Sequence, residues 1–131
     1  MKIMKQAVVL FMVLSLVIVP VAVAAIEPLA SDIFASADVS LNSNKRAIFN
    51  ATTNYSSSVS VISCTLQKKD GTKWVNAGSL TPPSHSSNNS YTFSAIADYS
   101  SSLTSGNTYR ITAVFSAGSE TVTRTSSERT Y

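Results

Sequence analysis

The chain is poor in the residues that usually carry chemistry. It holds one Cys, one His, four Gly and four Pro in 131 residues, and only 13% of its residues are charged. A single thiol excludes a multi-cysteine zinc module and a disulfide-stapled miniprotein. The glycines do not take the spacing of a phosphate-cradling loop, in which backbone N–H groups must approach an anion closely. His85 lies in a serine-rich stretch with no carboxylate between Asp70 and Asp98, so no Ser-His-acid triad is assembled around it. It also lacks a second His or a Cys at ligand spacing. His85 therefore reads as a solvated loop side chain, and no catalytic residue, cofactor or metal is expected.

What the sequence does have is concentrated at its start. Lys2 and Lys5 precede an apolar run from Ala7 to Val19 broken only by Ser15, then Pro20 and the small residues Ala22, Ala24 and Ala25. A positive start, an apolar middle and an A-x-A end form the anatomy of a signal peptide. Residues 1–24 are read as that segment, forming a helix, with cleavage after Ala24 or Ala25. Secretion follows as the expectation, and membrane contact only through an uncleaved signal segment. No apolar C-terminal tail and no Cys beside the cleavage site suggest a lipid or wall anchor.

Removing the segment changes the electrostatics. The precursor carries a formal charge of +3, but two of its ten cations are Lys2 and Lys5, so residues 25–131 hold eight cations against seven acids, a net +1. Nucleic-acid binders gain affinity from clustered Lys and Arg neutralising phosphates, so nucleic acid is not an expected partner.

Ser and Thr make up roughly a third of residues 25–131, a composition shared by disordered stalks and by strands with hydroxyls on their wet face. Periodicity chooses strands. Apolar and polar residues alternate over 33–41, 45–53, 59–68, 73–79, 91–97, 107–116 and 120–125. Ile62, Cys64 and Leu66 share one predicted face, with Val61, Ser63 and Thr65 on the other. Ile96 falls out of phase with Phe93, Ala95 and Ala97, marking a bulge or a second buried face. Asp70-Gly71-Thr72 predicts a tight turn. Pro82-Pro83 and the Ser and Asn pairs behind them predict the longest loop, and residues 126–131 read as a loose tail. About seven short strands in some 100 residues imply an all-β, two-sheet antiparallel sandwich over 25–131.

Two resemblances sharpen this reading. Leu103-Thr104-Ser105-Gly106-Asn107-Thr108-Tyr109-Arg110-Ile111 resembles the loop-to-strand corner of fibronectin type III and related immunoglobulin-like domains, Leu-x-Pro-Gly-x-x-Tyr-x-Val, with Ser105 in place of the Pro. The resemblance implies structural roles: Leu103 plugging one end of the core, and Tyr109 bonding through its hydroxyl to upstream backbone. The second strand has no Trp, and Cys64 alone cannot form the inter-sheet disulfide of antibody domains. More broadly, 61–75 together with 106–119 resembles small exported proteins of Gram-positive bacteria, families whose likeness implies no activity.

Among individual residues, Cys64 between Ile62 and Leu66 reads as a structural, buried small hydrophobe, against the alternatives of a reactive thiol or an intermolecular disulfide. Trp74 is the candidate ligand-binding residue. With Tyr55, Tyr91 and Tyr99 it is able to supply a platform for sugar rings, against the alternative of packing over the core edge in its hairpin. The Asn-x-Ser/Thr triplets at Asn50, Asn54 and Asn88 read as chance matches in an Asn- and Ser-rich chain. The expected function is a non-catalytic exported sandwich that contacts a glycan or a surface protein. The alternatives are a structural or self-associating protein and, last, a small hydrolase.

Overall fold

The computed structural model describes residues 31–131; the expected signal segment 1–24 and residues 25–30 lie outside the described residues. Eight strands follow in order: β1 (Phe34–Leu41), β2 (Arg46–Ser57), β3 (Val59–Asp70), β4 (Lys73–Leu80), β5 (Ser90–Asp98), β6 (Thr108–Ala117), β7 (Glu120–Thr125) and β8 (Arg129–Thr130). They form two antiparallel sheets, one ordered β1-β2-β5 and the other β4-β3-β6-β7, with β8 added to β6. The chain crosses between sheets at Ser58, at the loop after Leu80 and at the corner before Thr108. This is an immunoglobulin-like sandwich.

Strict alternation makes the inner faces apolar. In β6, Tyr109, Ile111, Ala113, Phe115 and Ala117 are buried while the residues between them are half-buried on the wet side. Ala47, Phe49 and Ala51 of β2 and Phe93 and Ala95 of β5 face them from the other sheet. Phe115 meets Phe49 and Phe93 edge-to-face, at 6.3 Å in both cases, so one ring ties the sheets together. Such aromatic pairs add about 0.5–1.5 kcal/mol beyond the area they bury. Two hairpins close through Gly71 and Gly118, with φ of +62° and +59°. Each is the first residue of a two-residue loop, where a type II′ turn needs positive φ and other residues are strained.

Three expectations are corrected. A register shift between Val61 and Ser63 inserts Ile62 as an extra residue, so Val59 and Val61 carry the buried face before it and Cys64 and Leu66 after it. Ile62 is left 55% exposed. Ile96 marks neither a bulge nor a buried face: it stands opposite Ile48 on the outer side of the three-stranded sheet, 61% exposed. Residues 126–131 are not loose. Ser126 is buried and its hydroxyl accepts the Ile111 N–H at 2.9 Å, while β8 takes the open edge of β6 at Thr108 and Tyr109. Tyr131 then donates its hydroxyl proton to the Asn42 carbonyl at 2.7 Å and packs its ring 6.4 Å from that of Tyr109. The polar letters of this stretch hide the burial, because hydrogen bonds to an exposed edge hold it rather than an apolar stripe.

The chain enters β1 through a clasp on Glu120. The Glu120 carboxylate accepts the Ser31 hydroxyl and the Ile33 N–H, and the Ser31 hydroxyl accepts the Phe34 N–H at 2.9 Å. These bonds, that of Ser31 foremost, hold Glu120 below its ordinary 4.5. A carboxyl with a depressed folded value stabilises the structure above its unfolded value and ceases to do so as pH falls through the folded one. As pH falls below 4.5 and through the depressed Glu120 value, amide protection at Ile33 and Phe34, corrected for intrinsic exchange, is expected to fall before that of β6. Glu120→Gln should show the same loss at neutral pH.

Candidate functional site

Cross-strand register brings Trp74 into a polar cluster on the outer face of the five-stranded sheet. Trp74 of β4 stands opposite Lys69 of β3, and two residues along β3 Gln67 stands opposite Arg110 of β6. Opposed residues share a face, so all four side chains rise on the solvent side. The Arg110 guanidinium lies 4.3 Å from the centre of the Trp74 ring, with the Lys69 ammonium at 5.8 Å. Both are within the range at which the ring's negative face attracts a cation. Arg110 is fixed further by Nε donating to Gln67 Oε1 at 2.6 Å, and Lys69 by Glu128 at 3.1 Å.

Trp74 is thus half-buried without belonging to the core. Burying an indole between a cation and a sheet surface leaves it ordered and reachable from solvent, which a core Trp is not. The other aromatics do not join it. Tyr55 and Tyr91 are exposed where β2 and β5 meet in the opposite sheet, and Tyr99 is buried in the core with its hydroxyl donated to the Thr81 carbonyl at 2.7 Å. A four-ring platform does not form. Arg110 and Gln67 lie far from Trp74 in the chain and only strand pairing reveals them; sequence reading missed both.

Leu103 is fully buried between β5 and β6. The Tyr109 hydroxyl accepts the Thr104 N–H at 3.3 Å and lies 2.8 Å from the Thr104 hydroxyl, with the Asn107 amide donating to it at 3.3 Å. Burial pushes this hydroxyl up, but its bonds to Thr104 and Asn107 and the nearby Lys68 charge bring it below the ordinary value of 10.

Cys64 is buried in the core, and burial pushes its thiol up, offset in part by the Tyr99 hydroxyl. Burial first, and then the same pairing, push Tyr99 up. A desolvated thiol is a poor nucleophile. Native protein treated with an aromatic disulfide reagent is expected to label slowly, with one thiol released on unfolding; rapid stoichiometric labelling of the native state would contradict this. His85 stands exposed in its loop with its ring stacked on Phe93 at 5.8 Å. Among the described residues there is no group of three or more metal-ligating side chains, and no cavity.

The fold and this surface define an all-β sandwich whose ordered polar cluster lies on an open sheet face. No protein-family model matches the chain, and neither does any curated protein or solved structure.

Proposed function

We propose that this protein is an exported, non-catalytic binding module that contacts a glycan or a surface protein through its open sheet face. The observation that carries the reading is Trp74, the chain's single Trp, held on the outer face by Arg110 at 4.3 Å rather than spent on the core. Flat, rigid aromatics with a polar neighbour lose little conformational entropy on binding and supply much contact area. Export is supported by the leader-like anatomy of residues 1–24 and by the resemblance to small exported Gram-positive proteins; membrane contact is then confined to an uncleaved signal segment.

A glycan array probed with the purified protein tests this. Binding to one or a few structures is expected, weakened at least about tenfold by Trp74→Ala, the scale of losing one buried aromatic anchor, and partly restored by Trp74→Phe. Unchanged binding by the Ala variant would remove Trp74 from the site.

A second reading rests on a separate observation. Ile48 and Ile96 form an apolar pair on the outer side of the three-stranded sheet, with Ile96 61% exposed. Self-association through that face would cover it. Sedimentation that depends on concentration and is abolished by Ile96→Lys, together with a silent array, would favour this structural role.

A further inference from the structure

The net charge of residues 25–131 conceals a separation of charge along the sandwich. Five cations, Lys68, Lys69, Lys73, Arg110 and Arg129, gather at the end of the five-stranded sheet that carries the β3–β4 turn. Register fixes this placement. Val75, Lys68, Tyr109 and Arg129 stand in one cross-strand row on the face of the buried Tyr109, and Trp74 and Lys69 in the next, on the outer face, so the cations flank this end of the sheet from both sides. Three strand spacings make such a row about 14 Å long. Only Asp70 and Glu128 oppose the five there, leaving +3. The other charges of the described residues, Lys45, Arg46 and Arg124 against Asp32, Asp38, Asp98 and Glu120, sum to −1.

Among the described residues, Lys69 is the one cation of the five in an ion pair, with Glu128 at 3.1 Å. Arg110 uses Nε on Gln67, and its two terminal nitrogens donate to no group among the described residues. That leaves the end-on fork that matches a carboxylate, sulfate or phosphate. An anion on the outer face meets the Arg110 fork beside the Lys69 ammonium, and the other cations of this end add to the attracting field. The same end carries Trp74, the amide of Asn76 opposite Gln67, and the mutually bonded hydroxyls of Thr108 and Thr130 at 2.7 Å. Hydroxyls and amides beside one aromatic suit a sugar chain. A single-stranded nucleic acid is held by several aromatics under successive bases, whereas this face offers one.

We infer that the outer face at this end of the five-stranded sheet docks an acidic polysaccharide, with an anionic group on the Arg110 fork beside Lys69, one of its sugar rings against Trp74, and the remaining cations of this end adding to its attraction. The inference rests on the binding-module reading and specifies its ligand class.

Carboxymethyl-dextran and neutral dextran share a backbone and differ in charge, which makes them the probes. Titrated into the purified protein, the carboxymethyl polymer should bind at least about tenfold more tightly than neutral dextran, with log affinity falling linearly as log salt rises. Lys73→Glu, at an exposed position, should weaken it roughly threefold or more without moving the thermal midpoint. Arg110→Lys keeps the charge but loses the planar fork, and should also weaken it. Equal binding of the two dextrans would overturn the acidic assignment and leave the binding-module reading standing. Equally tight binding of poly-glutamate or oligo(dT) would overturn the saccharide assignment. Silence with every probe would overturn the inference, with the glycan array then deciding the wider reading separately.

Discussion

Phe115→Ala is expected to lower the free energy of unfolding by about 3–5 kcal/mol, the range for deleting a buried aromatic ring from a packed core. Phe115 is fully buried on β6, the strand that pairs with β3, β7 and β8. Its ring touches Phe49 of β2 and Phe93 of β5, both from the opposite sheet. Removing it therefore opens a cavity and takes away both edge-to-face contacts that join the layers. A domain this small has about 5–15 kcal/mol in total, so the variant should sit close to its unfolding transition at body temperature. Phe115→Leu keeps most of the volume and should lose much less. Urea unfolding followed by far-ultraviolet circular dichroism and by Trp74 fluorescence checks this. The two probes should coincide, and the midpoint should fall with an unchanged slope. A loss under about 1 kcal/mol would mean that the neighbouring rings collapse into the space.

The same alternation that identifies Phe115 made most of the fold legible in advance. Apolar residues at every second position of 108–117, and glycines where two-residue turns need positive φ, are local signals, and local geometry answers to them. Ile62 broke the pattern because a bulge is set by which partner residues meet across β3 and β6, and one sequence window does not contain both strands. Ile96 looked like a bulge or a second buried face because isoleucine favours strands on either face; its opposition to Ile48 is again a fact of pairing. The tail was misread for a related reason. Its anchors are an open strand edge and the Asn42 carbonyl, both distant in sequence. The candidate site follows the same logic. Trp74 drew attention by its type, but the cation on its ring and the row of charges beside it exist only once β3, β4 and β6 are in register. Even the charge was hidden, since a net value averages a positive end with the rest.

The second large effect is expected at the corner between β5 and β6, where Leu103→Ala should cost about 2–5 kcal/mol and Tyr109→Phe only about 0.5–1.5 kcal/mol. The two residues belong to one motif, but they act through different physics. Leu103 is fully buried, its N–H donated to the Tyr99 carbonyl at 3.1 Å, so truncating it leaves a void that fixed backbone is slow to fill. Tyr109→Phe keeps the ring in place beside Tyr131 and removes only the hydroxyl. The Thr104 N–H and Asn107 amide that the hydroxyl served lie in partly exposed surroundings, where water replaces it at modest cost. Thermal and urea unfolding of both single variants and the double variant measure the difference. Because the two side chains brace one short loop, the double variant should lose less than the sum of the singles. If Tyr109→Phe costs as much as Leu103→Ala, the hydroxyl network rather than the apolar plug holds the corner. The open sheet face bearing Trp74 and Arg110 would then depend on that network, since β6 leaves the corner at Thr108 and reaches Arg110 two residues later.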